Sequence, residues 1–157
     1  MTTLPVGVGD EVFATRKVVY QRALARLEFS EDSSHNDDNA RQYGYPGALV
    51  SAYVLAGLMS EPMVRLFGSS WFTTGSISLT FVGKGTQQGD EVICRGVVKD
   101  VERQGDDGHL VVLEVWMEKD GGKKVVIGEA SGVWQPGGSA GGGVMDEAEA
   151  AEDPERA

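Results

Sequence analysis

The sequence predicts an α+β roll, in which one long buried helix is wrapped by a curved antiparallel sheet. Three observations point there. Residues 48–59 hold Leu49, Val50, Tyr53, Val54, Ala56, Leu58 and Met59, which cover nearly every face of a helix and so predict one buried on all sides. The following segments alternate polar and apolar residues with the period of a strand and are separated by Gly-containing turns. A sheet of long antiparallel strands beside one apolar helix leaves both apolar surfaces exposed unless the sheet curves around the helix.

With 157 residues and 41% hydrophobic content, the chain suits one core of ordinary size. Residues 1–135 are expected to form that domain. Residues 136–157 carry a Gly-rich stretch and an acidic Ala/Glu segment too poor in apolar side chains to order itself, so a disordered tail is expected. The tail also holds half of the formal net charge of −10: six carboxylates against Arg156. A mildly acidic body without a Lys/Arg stripe argues against nucleic acid, where phosphate neutralisation dominates binding. Cys94 is the sole cysteine, which excludes an intrachain disulfide and a cysteine metal cluster and fits a cytoplasmic location. Residues 1–12 lack the pattern of a signal peptide, and the apolar run at 48–59 is too short to span a bilayer.

In chain order, Val6 to Val12 reads as a lead-in or edge strand. Thr15 to Phe29 reads as a strand followed by a short helix or as one longer strand, with Val18, Val19 and Tyr20 favouring strand. Ser30-Glu31-Asp32-Ser33-Ser34 is rich in turn and cap formers and takes the chain out of regular structure. The central helix follows Pro46-Gly47. Pro62 lacks an amide donor, so that helix should end or kink near Ser60-Glu61, with one more turn from Met63 to Phe67. Ile77, Leu79 and Phe81 alternate with Ser76, Ser78 and Thr80 in the next strand. After a loop at 83–89 come strands at 90–99, 109–118 and 123–134, joined by hairpin signals at Asp106-Asp107-Gly108 and Asp120-Gly121-Gly122.

His35, one of only two histidines, lies among polar residues just before Asp37 and Asp38, so its pattern is that of a catalytic or ligand-contacting residue or of a loop histidine. Asp32 is placed to orient His35 or to cap a helix, and Asp37 and Asp38 read as first-turn helix acids or caps. Ser51 lines a site at the helix start or serves tight packing. Tyr43 and Tyr45 line a ligand path or pack on the Pro46 turn. Arg41, Lys84 and Arg103 are ordinary surface cations unless they converge on a phosphate. His109 is expected to face solvent. Two histidines without a cysteine cluster point to no metal site.

The segment from Ala40 through Tyr43-Gly44-Tyr45-Pro46-Gly47 to Val50, then Leu79 to Val82, Gly89 to Val92 and Gly128 to Ser131, resembles the MaoC-type hotdog proteins, the (R)-specific enoyl-CoA hydratases and related acyl dehydratases. The resemblance covers roughly residues 6–135. It implies a single hotdog fold, a homodimer with sites at the subunit interface, no cofactor, and an acyl thioester of CoA or a carrier protein as substrate. It further implies that His35, with Asp32 or Ser30, moves a proton to or from water, while Tyr45, Gly47, Ser51, Ala52 and Tyr53 meet the substrate. A base and an acid sharing one water, with a backbone amide polarising the thioester carbonyl, make physical sense for such a reaction. Placing His35 on the family histidine puts Ser30 at the catalytic Asp and Ser51-Ala52 at the His-Gly pair, which retains the backbone amide. These departures leave two alternatives: a catalytically degenerate binding or assembly subunit, and a thioesterase, whose central-helix carboxylate is missing between Ala48 and Ser60.

Overall fold

Alternation sets the sheet. In the strand Gly108–Lys119, Val111, Leu113, Val115 and Met117 are buried, while Glu114, between two of them, is exposed. The strand Glu91–Gln104 buries Val92, Cys94, Gly96 and Val98 in the same rhythm, until a bulge between Val98 and Asp100 shifts the register. The computed structural model describes residues 6–20 and 34–136, and the strands are numbered β1 (Glu11–Val18), β2 (Ser76–Phe81), β3 (Glu91–Gln104), β4 (Gly108–Lys119) and β5 (Lys123–Trp134). All pairings are antiparallel, in the order β1-β3-β4-β5-β2, so β1 and β2 form the edges.

Three helical segments accompany the sheet: α1 (Asp37–Gln42), α2 (Ala52–Phe67) and, after a 3-10 turn at Gly68–Ser70, α3 (Trp71–Thr74). Helix α2 turns Leu55, Met59, Met63 and Phe67 into one cluster with Val92, Cys94, Leu113 and Ala130. Gly132 of β5 makes room for the Phe67 ring, since a Cβ there would stand 3.0 Å from it. The outer face of the sheet is charged: Arg95 bonds Glu118 at 2.9 Å and Glu11 at 2.7 Å, and Lys124 lies 4.7 Å from the centre of the Trp116 ring.

The α+β roll and its strands at 76–81, 91–104, 108–119 and 123–134 follow the expectation, with β3 running five residues further than residue 99 because the bulge lets pairing resume. The central helix departs from it in three ways. It starts at Ala52, because Leu49 forms an antiparallel bridge with Gln87 and the chain is extended there. It is buried on one face only: Tyr53 is 88% exposed and Gly57 is also exposed, because a single sheet covers one side of a helix. It also runs through Pro62 to Phe67 without ending. Pro62 has no amide to give Leu58, and the Cys94 thiol donates to the Leu58 carbonyl instead, at 3.9 Å. Residues 21–33, including the segment of uncertain strand or helix, and residues 137–157 of the expected tail lie outside the described residues.

Candidate active site

Three chain segments meet at the start of α2. The first is the turn at Ser34 to Asn36, which closes into α1: the Asn36 side chain caps that helix by accepting from the Asp38 amide at 2.9 Å. The second is Gly47 to Ser51, the lead-in to α2. The third is the loop between β2 and β3. Leu49 makes an isolated antiparallel bridge to Gln87, and Leu49 and Val50 are held on both sides by backbone bonds. On one edge the Leu49 amide donates to the Ser34 carbonyl at 2.9 Å, and on the other the Val50 amide donates to the Thr86 carbonyl at 2.7 Å.

His35 is half-buried on the first edge, its Nδ1 lying 2.7 Å from the Leu49 carbonyl oxygen. A carbonyl oxygen only accepts, so Nδ1–H donates. Two residues on, Asp37 Oδ1 accepts from the Ala48 amide at 2.8 Å. Ser51 caps α2: its Oγ accepts from the Tyr53 amide at 3.3 Å, and its carbonyl takes the Val54 and Leu55 amides. The Ala52 amide is the first-turn donor that this cap does not use, at the helix end where the dipole favours negative charge.

Of the substrate-contact residues expected from the sequence, Gly47 and Ser51 are buried at this junction, Tyr45 is half-buried, and Ala52 and Tyr53 stand exposed on the first turn of α2. Ser30 and Asp32, the expected partners of His35, lie outside the described residues. The three cations do not converge on a common ligand: Arg41 pairs with Asp38 at 3.8 Å, Arg103 donates to the Asp106 carbonyl within its own hairpin, and Lys84 is exposed in the β2–β3 loop. His109 is half-buried rather than solvent-facing. Its ring lies 6.2 Å from that of Trp134, because the β4–β5 pairing sets the two residues side by side.

At the junction, the partner of Asp37 and the whole of Thr86 escaped the sequence reading. Asp37 was open to being a helix cap, and nothing local marks Ala48, eleven residues on, as its partner. Thr86 is 1% exposed and its Oγ1 has no hydrogen-bond partner among the described residues, yet its neighbours Gly85 and Gln87 read only as loop. Gly85, at φ +68°, holds that loop against Leu49, since a Cβ there would stand 2.7 Å from the Leu49 side chain. Burial raises the Cys94 thiol to about 12, which keeps it protonated under the helix and removes it as a nucleophile. Among the described residues no group of three or more His, Cys, Asp or Glu side chains is arranged to hold a metal, and no helix is long and apolar enough to cross a membrane.

No protein-family model matches the chain, and no curated protein does. Solved structures do. A MaoC-like dehydratase from Rhodospirillum rubrum superposes with a TM-score of 0.65 at 16% identity, covering 83% of this chain and 93% of its own. The (R)-hydratase from A. caviae involved in PHA biosynthesis gives 0.62 at 22% identity, over 85% of this chain and all of that one. The fold is the hotdog fold of MaoC-like proteins. A third hotdog neighbour, from a C-terminally truncated 3R-hydroxyacyl-ACP dehydratase complex of Mycobacterium tuberculosis, gives 0.57 at 13% identity over 80% of this chain and 96% of that one. The helix at the centre of this hotdog fold carries one carboxylate, Glu61, bonded to Lys17 at 3.0 Å and to Arg65 at 2.8 Å.

Proposed function

We propose that the protein adds water to, or removes it from, an acyl thioester, with His35 as the acid/base group. The observation that carries this reading is the clamp on His35: its Nδ1–H is committed to the Leu49 carbonyl, two residues before the cap of α2. A histidine clamped through Nδ1 in this way is suited to take up a proton as a base and to return it as an acid. The Ala52 amide supplies the donor for the thioester carbonyl as negative charge develops on its oxygen. Ser30 or Asp32 assists His35, Tyr45, Gly47, Ser51 and Tyr53 line the substrate path, and the working unit is a cytoplasmic homodimer. The carrier is CoA or an acyl carrier protein, and the chemistry draws on no cofactor or metal.

The test is hydration of crotonyl-CoA and longer enoyl-CoAs, followed by loss of the enoyl absorbance. His35→Ala is expected to lower the rate at least about 100-fold, the usual scale of a lost general acid/base. An unchanged rate removes His35 from the mechanism.

A second reading, a binding or assembly subunit that has lost catalysis, is favoured by Ser30 standing where the hydratase motif has its Asp. It predicts no turnover by the isolated chain and a heteromer with an active partner on size-exclusion. A self-sufficient active homodimer rules it out.

A further inference from the structure

Carboxylates outnumber Lys and Arg by 24 to 14 in this chain, so a cation left without a carboxylate is the less expected case. Among the described residues, Lys84 and Lys123 are the Lys or Arg side chains with no carboxylate, carbonyl or ring partner, and both are exposed. The sheet sets them side by side. Phe81 faces Val126 on the β2–β5 ladder, the Val82 amide donates to the Val125 carbonyl at 3.0 Å, and a Cβ on Gly83 would stand 3.4 Å from the Lys124 carbonyl. The next residues in that order are Lys84 and Lys123. On its other side Lys123 faces Lys119 in the β4–β5 pairing. Three lysines therefore succeed one another across this end of the sheet, and like charges set opposite each other are destabilising. Two carboxylates oppose them: Asp90, bonded to Lys119 at 2.6 Å, and Asp120 in the β4–β5 turn, which forms no ion pair among the described residues.

The loop that carries Lys84 also reaches the start of α2. Gly85 packs against Leu49, the Thr86 carbonyl takes the Val50 amide, and Leu49 bridges Gln87 antiparallel. As the loop runs back from Thr86 to Lys84, the opposite chain therefore runs on from Val50 to Ala52, whose amide the cap of α2 leaves unused. The Lys84 backbone is steadied there: its carbonyl accepts from the Gln87 side chain at 3.4 Å, and Lys119 donates to that same side chain at 3.2 Å. We propose that Lys84 and Lys123 bind phosphate on the carrier that brings the acyl thioester to α2. An ammonium meets phosphate as a point charge with no fixed fork geometry, and the anion turns the repulsion between two lysines into two attractions. The inference rests on the acyl-thioester reading, and the phosphate next to pantetheine is chemistry that CoA and a carrier protein share.

The experiment is calorimetric titration of the full chain with CoA, with 4′-phosphopantetheine and with pantetheine, which has no phosphate. The wild type is expected to bind CoA about tenfold or more tighter than pantetheine, and to lose that margin as salt rises. Lys84→Ala/Lys123→Ala is expected to weaken CoA about tenfold and pantetheine less than about twofold, whereas Lys84→Arg/Lys123→Arg keeps the charge and the affinity. On crotonyl-CoA the same Ala variant is expected to raise KM about tenfold with kcat within about twofold. A wild type that binds CoA no tighter than pantetheine, an unchanged CoA affinity in the Ala variant, or an equal loss on pantetheine overturns the proposal. Should the double variant not fold, Lys84→Glu and Lys123→Glu taken singly decide it by the same criteria. A matching loss on 4′-phosphopantetheine supports the shared phosphate, and a loss on CoA alone supports the phosphates that only CoA carries. CoA bound as expected, with no enoyl thioester hydrated, fails the hydratase reading and leaves the lysine site standing.

Discussion

At the scale of single residues, Cys94 shows how a side chain substitutes for a missing backbone group. Pro62 takes the amide from one rung of α2, and the thiol donates to the orphaned Leu58 carbonyl from the sheet below. Burial holds that thiol protonated to about pH 12, against an ordinary value near 9.0. The folded state therefore keeps a proton that the unfolded state releases above pH 9, and stability must fall as pH rises through that window. The slope approaches about 1.4 kcal/mol per pH unit from this one group. Urea midpoints taken between pH 8 and 10.5 are expected to decline in the wild type and to decline less in Cys94→Ala. Of the candidate site, His35 stood out in the sequence because a histidine among polar residues has no packing role to explain it. Its bond to Leu49 did not, because that contact spans fourteen residues and depends on a turn whose direction no local pattern specifies.

Elements were legible in proportion to how local their cause is. The strands β3, β4 and β5 declare themselves by alternation and by Gly turns; β4 and β5 were found nearly to their ends, and β3 runs five residues beyond its expected end at residue 99. Helix α2 was misread at its start and at Pro62 for non-local reasons. Leu49 and Val50 look helical by composition but are held by backbone bonds to the chain on either side, and Pro62 looks like a stop until Cys94 is brought beneath it. Its faces yield two opposed predictions. Met59 is fully buried against the sheet, so Met59→Ala is expected to cost about 2–5 kcal/mol of stability by denaturant unfolding. Gly57 is exposed with nothing near a would-be Cβ, so Gly57→Ala is expected to stabilise the protomer by up to about 1 kcal/mol. At Gly128 the reverse holds: a Cβ would collide with the Ser78 carbonyl of the edge strand, and Gly128→Ala is expected to loosen β2 and lower the melting temperature.

On the scale of the whole molecule, the face of α2 turned away from the sheet is the surface that a lone protomer leaves uncovered. Tyr53 lies on it, and Phe72 and Phe81 are exposed further along the chain. The proposed homodimer, with its sites at the interface, would cover the start of α2. Sedimentation velocity is expected to give a dimer for the wild type and a shift toward monomer for Tyr53→Glu. A Tyr53→Glu protein that stays dimeric places the interface elsewhere.

The isolated bridge at Leu49 and the backbone bond at Val50 link distant parts of the chain. Its far edge is fastened to Thr86, and Asp90, four residues on, accepts from the Gln87 amide at 2.9 Å and from Lys119 at 2.6 Å. The far end of β4 is thereby tied, through one carboxylate and one bridge, to the residue that carries the imidazole's acceptor. The Lys119–Asp90 pair is thereby joined, through the buried Thr86 and Val50, to the segment whose Leu49 carbonyl bonds His35.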